Sequence, residues 1–390
     1  MPRVFLAFSS LAVQLISFSA VAQLPARVEV AYLLINSSQL QTYDVDASTG
    51  VPTPEGKPLT VSPNVFSVVP SPNDHFLYFL GRDRQKDEHL WVYATDSTGA
   101  PQSDPIQVLN VKNLGPFEID PTGKLAYAVE NNCCESQIAA TSIQLFNVDP
   151  QTGLLSLPSK PVASFPQNGP CGDGWSIEGS LGFSGFNLRG SILLDEWLCT
   201  AYDWAKGIYF ASTVNTKTGA LGSEQQVFSW FEDSSGDGVW FTPRALIDYS
   251  DPAGGQGDAA VTIYPPSGGT EPVFSCNAQM LEACASGLGG MPDPVGEYMF
   301  LQTSQSNVEI TRIDLPGKKI VDTGNGMPGR MLTISSDRRL IYTQPAGQEQ
   351  ESAAPIYTFN PATGEVQAGG TIEVPASFSS FVVVPAIREP

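Results

Sequence analysis

The chain is built from short apolar runs that alternate with polar residues and stop at turns. The runs Leu40 to Val45, Leu90 to Ala94, Ser142 to Val148, Gly207 to Val214, Ala259 to Tyr264, Val308 to Ile313 and Pro355 to Phe359 alternate in polarity or are rich in β-branched and aromatic side chains. That is the pattern of half-buried strands. Each run closes on a glycine-bearing turn, at Gly50, Gly99, Gly153, Gly219, Gly268, Gly317 and Gly364. A short strand follows each turn, as in Ile106 to Val111 or Gln226 to Phe231, and then two apolar strands flank a polar turn. The clearest such pairs are Val65 to Val69 with Phe76 to Leu80, Pro116 to Ile119 with Lys124 to Val129, and Met331 to Ile334 with Leu340 to Thr343.

Successive glycines lie 49, 54, 66, 49, 49 and 47 residues apart. A period near 50 with four strands per unit predicts an all-β, seven-bladed β-propeller. Repetition explains how 390 residues can form one domain, since a single core usually stops growing at about 250–300 residues. The ends fit the same scheme. Ser380 to Val384 supplies one strand at the C-terminus, and Val28 to Asn36 with Leu40 to Val45 supplies the pair left over at the N-terminus. One blade is therefore expected to be shared by both termini, closing the ring without an exposed sheet edge. Extra length falls around 166–290, including Pro166 to Gly190 and Trp197 to Gly207, where loops that carry function are expected.

The turns Asp46–Gly50, Asp96–Gly99, Asp149–Gly153, Asn215–Gly219 and Asn360–Gly364 share an Asp or Asn start and a Gly end. Asp120, Pro121 and Gly123 precede the aliphatic and tyrosine strand that holds Leu125 and Tyr127. In both features the mature chain resembles the lactonase-like seven-bladed propeller family, which includes 6-phosphogluconolactonase and a carboxymuconate cyclase. The resemblance implies a site at one end of the central channel, worked by His, Glu and Arg. The family loop often reads Gly-Pro-His; here Gly115-Pro116-Phe117 and Gly169-Pro170-Cys171 lack the histidine, and Ser62-Pro63-Asn64 places Asn there. The only histidines, His75 and His89, fall at other positions and read as solvated surface residues.

Composition narrows the setting. Arg3, the apolar stretch Val4 to Ile16 and the small-residue site Ala20-Val21-Ala22 form a secretory signal, with cleavage expected after Ala22 and a single propeller over 23–390. The protein is thus expected to be secreted or periplasmic, with no membrane span and as a monomer. Loss of Arg3 takes the formal charge from −20 to −21, which disfavours nucleic acid as a partner. In an exported chain the six cysteines are expected in disulfides, Cys276 with Cys284, and Cys133, Cys134, Cys171 and Cys199 among themselves in one of three connectivities.

Asp233, Ser235, Asp237 and Gly238 match the first half of a calcium loop, although Arg244 stands where the bidentate Glu belongs. Calcium is the one cofactor for which ligands are on offer, and a solvated acidic turn is the competing reading. Gly324, Gly326 and Gly329 match a dinucleotide-loop pattern but precede a strand rather than a helix. Trp175, Trp197, Trp204, Trp230 and Trp240 gather in the enlarged region with many carboxylates. They read either as packing between blades or as a binding surface in which Asp173, Trp175, Arg189, Trp240 and Arg330 meet a small molecule, carbohydrate or protein. Without the family histidine the sequence favours a binding module. The alternative is a hydrolase or cyclase acting on a sugar-acid lactone, with Glu232 as base and Arg244 holding the substrate carboxylate.

Overall fold

The computed structural model describes residues 28–62, 64–130, 142–157, 161–164, 176–186, 190–201, 204–231, 238–250, 260–267, 271–276, 284, 289–304, 306–335, 337–344, 353–373 and 381–387. These form seven antiparallel sheets. In chain order the first holds β1 (Val28–Ile35), β2 (Gln39–Asp46) and β3 (Pro52–Thr60). The second holds β4 (Asn64–Pro70), β5 (Phe76–Arg82), β6 (Glu88–Ala94) and β7 (Gln107–Asn110). The third has β8 (Leu114–Ile119), β9 (Leu125–Glu130) and β10 (Ser142–Val148), with β11 (Leu155–Ser156) and β12 (Ala163–Ser164) both pairing with β10. The fourth comprises β13 (Ser176–Phe186), β14 (Ile192–Ala201), β15 (Trp204–Val214) and β16 (Leu221–Phe231). The fifth comprises β17 (Gly238–Phe241), β18 (Leu246–Ser250), β19 (Ala260–Tyr264) and β20 (Phe274–Cys276). The sixth has β21 (Gly290–Pro292), β22 (Tyr298–Ser304), β23 (Asn307–Asp314) and β24 (Lys319–Pro328), and the seventh β25 (Arg330–Ile334), β26 (Leu340–Gln344), β27 (Ala353–Asn360) and β28 (Glu365–Glu373). Finally β29 (Phe381–Ile387) pairs with β1, from Glu29 opposite Ile387 to Ile35 opposite Phe381, and completes the first blade.

The leading strands β29, β4, β8, β13, β17, β21 and β25 touch the neighbouring blades in sequence around the ring, which makes them innermost. Within a blade, the connections between first and second strands and between third and fourth strands lie at one end. The second-to-third and blade-to-blade connections lie at the other.

The first end is capped by buried polar side chains. Ser71 accepts from the Phe76 amide, Asp120 from Lys124 and Leu125, Thr242 from Ala245, Asp293 from Glu297 and Tyr298, and Ser335 from Arg339 and Leu340. All five caps are almost fully buried. Each satisfies amides that would otherwise lie unpaired beneath the sheet.

At the same end the glycine turns do more than reverse the chain. Asp46, Asp96, Asp149, Asn215 and Asn360 accept backbone amides two to four residues on, forming Asx turns. The glycines that close them, Gly50, Gly99, Gly153, Gly219 and Gly364, sit at φ +66, +80, +71, +72 and +77°. They also pack on the preceding blade: Gly50 on Ile356, Gly99 on Val30 and Tyr32, Gly153 on Phe76, Gly219 on Leu145 and Gly364 on Tyr298. Three tyrosines of that preceding blade then donate to the glycine carbonyls, Tyr32 to Gly99 (2.8 Å), Tyr78 to Gly153 (3.0 Å) and Tyr127 to Gly219 (2.8 Å). Burial raises the hydroxyl pKa values of Tyr78 and Tyr127, so both remain donors. Tyr298 reaches the Pro361 carbonyl in the same way, at 3.2 Å. At Gly317 the left-handed residue is instead Lys318, φ +51°, and Gly268 lies outside the described residues.

Several expectations are refined. The Asn36–Ser37 hairpin between β1 and β2 uses positive φ at both residues, the geometry of a tight type I′ turn. The long interval at the fourth blade is taken up largely by strands of 10 and 11 residues. Trp197, Trp204 and Trp230 therefore lie within β14, β15 and β16 rather than in loops. Gly324 and Gly326 lie inside β24, which excludes a phosphate loop there. Cys276 and Cys284 are bridged, with Cα atoms 6.0 Å apart, and both are buried in the core of blades five and six. Cys133, Cys134 and Cys171 lie outside the described residues, as does the side chain of Cys199.

Ring closure carries one ionisable side chain. Glu29 on β1 is 2% exposed, and its Oε1 accepts from the Tyr342 hydroxyl of the seventh blade at 3.0 Å. Burial, with Asp337 and Asp74 nearby, outweighs the hydrogen bonds from Tyr342 and Ser335 and pushes its pKa from 4.5 up to about 8. Between those two values the folded protein holds a proton that the unfolded chain has released. This contribution is fully present below about pH 4.5 and is lost as pH rises through about 8.

Two outcomes follow. Glu29→Gln should match the parent near pH 4.5 in urea denaturation and exceed it by a few kcal/mol at pH 9; a difference independent of pH would refute the buried, protonated carboxyl. A Cβ at Gly219 would lie 2.5 Å from Leu145, whereas Gly56, also at positive φ (+62°), has nothing within 4 Å. Gly56→Ala should therefore cost about 1 kcal/mol and Gly219→Ala about 2–4 kcal/mol in the same assay.

Candidate functional site

The end bearing the second-to-third and blade-to-blade connections is where the strand ends are joined by the longer stretches of sequence. It holds most of the long connections, among them 131–141, 165–175, 251–259, 277–289 and 345–352. A polar cluster at this end surrounds the hairpin between β5 and β6. The turn after β5 folds back through Asp83, whose Oδ1 accepts the Gln85 and Asp87 amides at 2.8 and 3.0 Å, with Lys86 at φ +71°. Its Oδ2 meets His89 Nε2 at 3.0 Å. Desolvation raises the Asp83 carboxyl, but the hydrogen bonds from His89, Asp87 and Gln85 outweigh it and hold the pKa below the usual range. The His89 ring leans on Trp91, centroids 5.2 Å apart, and its Nδ1 is buried without a hydrogen bond among the described residues.

His89 is therefore not the solvated residue expected from its charged surroundings, since its side chain is only 14% exposed. Alternation along β6 turns it inward beside Trp91, and the hairpin returns Asp83 to it. His75 is exposed, as expected, at the opposite end. Beside this pair Arg82 donates to Glu88 Oε1 through Nε and Nη2 (3.1 and 2.8 Å), and Glu88 Oε2 accepts the Leu114 amide at 3.2 Å. Glu88 thereby joins the second blade to the first residue of β8. Ser62 ties the incoming connection to the same corner by donating to the Arg82 carbonyl at 2.7 Å.

Further along β8 stands Glu118, flanked by Phe117 and Ile119, which pack into the core shared with the second blade. Period two turns Glu118 to the other side, toward the fourth blade, on an innermost strand. It remains partly exposed, and desolvation raises its carboxyl to about 7. A carboxyl that takes and releases protons near neutrality is suited to general acid–base work. Its signal in the sequence was a lone acid inside the apolar stretch Leu114 to Ile119.

Of the residues expected to act together, Arg244, Arg330 and Trp240 are described. Glu232, Asp233, Ser235 and Asp237 lie outside the described residues, as do Asp173, Trp175 and Arg189. Arg244 sits in the turn before β18, on the glycine-turn end, where Nη1 donates to the Gly296 carbonyl at 3.4 Å. Arg330 is exposed at the first position of β25, at the other end. Trp240 covers Gly238 and packs against the core of blades five and six, in line with the packing reading of the tryptophans. Among the described residues no group of three His, Cys, Asp or Glu side chains could hold a metal ion, and no helix is long and apolar enough to cross a membrane.

No family model and no curated protein matches the chain. Solved structures do. A 6-phosphogluconolactonase-like protein from Bacteroides fragilis matches over 91% of this chain and 98% of its own, at 16% identity and TM-score 0.58. A second, from Bacteroides uniformis, matches 91% and 99% at 15% identity and TM-score 0.55. A protein from Lactobacillus plantarum matches the same shares at 12% identity and TM-score 0.52. Across nearly its whole length, then, the chain has the seven-bladed propeller fold of these 6-phosphogluconolactonase-like proteins, at an identity that speaks for the fold alone.

Proposed function

We propose that the protein is an exported binding propeller, released by cleavage near Ala22, which holds a small molecule, carbohydrate or protein at the end bearing the second-to-third and blade-to-blade connections. The observation that carries this reading is the division between the two ends. Buried caps and glycine turns lock one, and most of the long stretches of sequence join strand ends at the other. A rigid ring that presents variable connections is a platform for recognition. Catalysis on a lactone acid needs a base and a cation on one substrate. Arg244, the cation proposed for that role, is at the locked end.

A second reading is the lactone hydrolase or cyclase, with Glu118, near the glycine-turn end of β8, as base. Desolvation raises its carboxyl to about 7 and it stands on an innermost strand, which suits it to that role beside the expected Glu232.

Titration of acid release from gluconolactone and related sugar-acid lactones at constant pH, with and without EDTA, separates the two readings. Binding alone predicts no turnover above the buffer blank, together with a thermal shift from some members of a panel of neutral and acidic sugars. Saturable turnover that Glu118→Gln abolishes would overturn the binding reading.

A further inference from the structure

At the locked end, where the fifth and sixth blades meet, a cleft of about 370 Å³ is lined by Arg244, Arg312 and Lys319, with Pro316 and Val321 as apolar wall and Asp314 on the rim. Three blade-building segments supply the cations: the turn before β18, strand β23, and the first position of β24. The chain has only 20 Lys and Arg against 40 Asp and Glu, so three cations facing one space, with a single carboxylate among the lining residues, run against its composition.

Local pairing does not account for them. Arg312 meets Glu297 at 3.2 Å while its side chain stays 58% exposed. Arg244 makes one long bond, to the Gly296 carbonyl, which leaves most of its guanidinium donors unused by the described residues. Among those residues neither Arg244 nor Lys319 has an ion-pair partner.

We propose that this cleft binds a small organic di- or tricarboxylate. The guanidinium fork matches a carboxylate in two parallel hydrogen bonds, and Lys319 supplies a compact charge for a second group. Val321, 39% exposed, and Pro316 cover the carbon skeleton between them. The volume lies within the ordinary range for small-molecule sites, about 300–1,000 Å³. Cations supplied by three separate segments suit carboxylates spread along a carbon skeleton better than one compact phosphate. This site is separate from the recognition end and does not depend on what binds there.

Isothermal titration of the full mature chain with citrate, tricarballylate, inorganic phosphate and neutral sucrose tests the assignment. Citrate and tricarballylate should bind saturably, more weakly as sodium chloride rises, and sucrose should not bind. Lys319→Gln, at an exposed strand position that should leave the fold intact, should weaken citrate about three- to tenfold. Arg244→Gln should weaken it further, with an unchanged circular dichroism spectrum and melting temperature as the check on folding. No heat with either carboxylate, citrate binding unchanged by Lys319→Gln, or phosphate binding as tightly as citrate would each overturn the proposal. None of these results bears on lactone turnover or on sugar binding at the opposite end.

Discussion

The ring depends on one repeated contact, a left-handed glycine pressed against the preceding blade, in three cases with its carbonyl held by a buried tyrosine. Sheets that lean side by side have only dispersion and apolar burial to fix their spacing, and neither is directional. The hydroxyl-to-carbonyl bonds of Tyr32, Tyr78 and Tyr127 add direction, each contributing about 1 kcal/mol. The glycine adds distance: at Gly153 a Cβ would run into the Phe76 ring. Together they set how closely one wedge leans on the next, and hence how many wedges complete a circle.

This contact explains why the blade count was legible in the sequence. Asp or Asn at the turn start and Gly at its end are demanded by backbone geometry in blade after blade, so the spacing of those residues reads out the repeat. Contacts formed only when distant segments meet were not legible. Glu29 looked like one more polar residue at a strand start; its burial under Tyr342, 313 residues away, appears only once the first and last blades touch. His89 and Asp83 are six residues apart, yet the run from Arg82 to Glu88 reads as solvated charge until the hairpin register pairs them. Arg244 was singled out in the sequence as the cation that would hold a substrate carboxylate. Its company, Arg312 and Lys319, comes from the neighbouring blade, which no local pattern reveals.

The two ends also differ in electrostatic construction. At the locked end carboxylates are consumed by the backbone: Asp120 and Asp293 are buried and spend their oxygens on amides, and Asp293 is further met by Arg338 Nε at 2.5 Å. Such acids contribute to the formal charge while projecting little of it. At the other end Glu88 bridges blades, and Asp83 is tied to a histidine. Asp120 and Asp293 thus add less to the surface field than to the formal charge.

The pairing of β29 with β1 has a consequence for how the molecule reaches its final form. Partners such as Glu29 and Ile387 are separated by nearly the whole chain, so this ladder has the highest contact order in the fold and the largest loop to close. Six blades can assemble from local hairpins as they emerge, but the first stays a three-stranded sheet with β1 as a bare edge until the end of the chain arrives. Until it pairs, β1 presents an edge rich in Val, Leu and Ile.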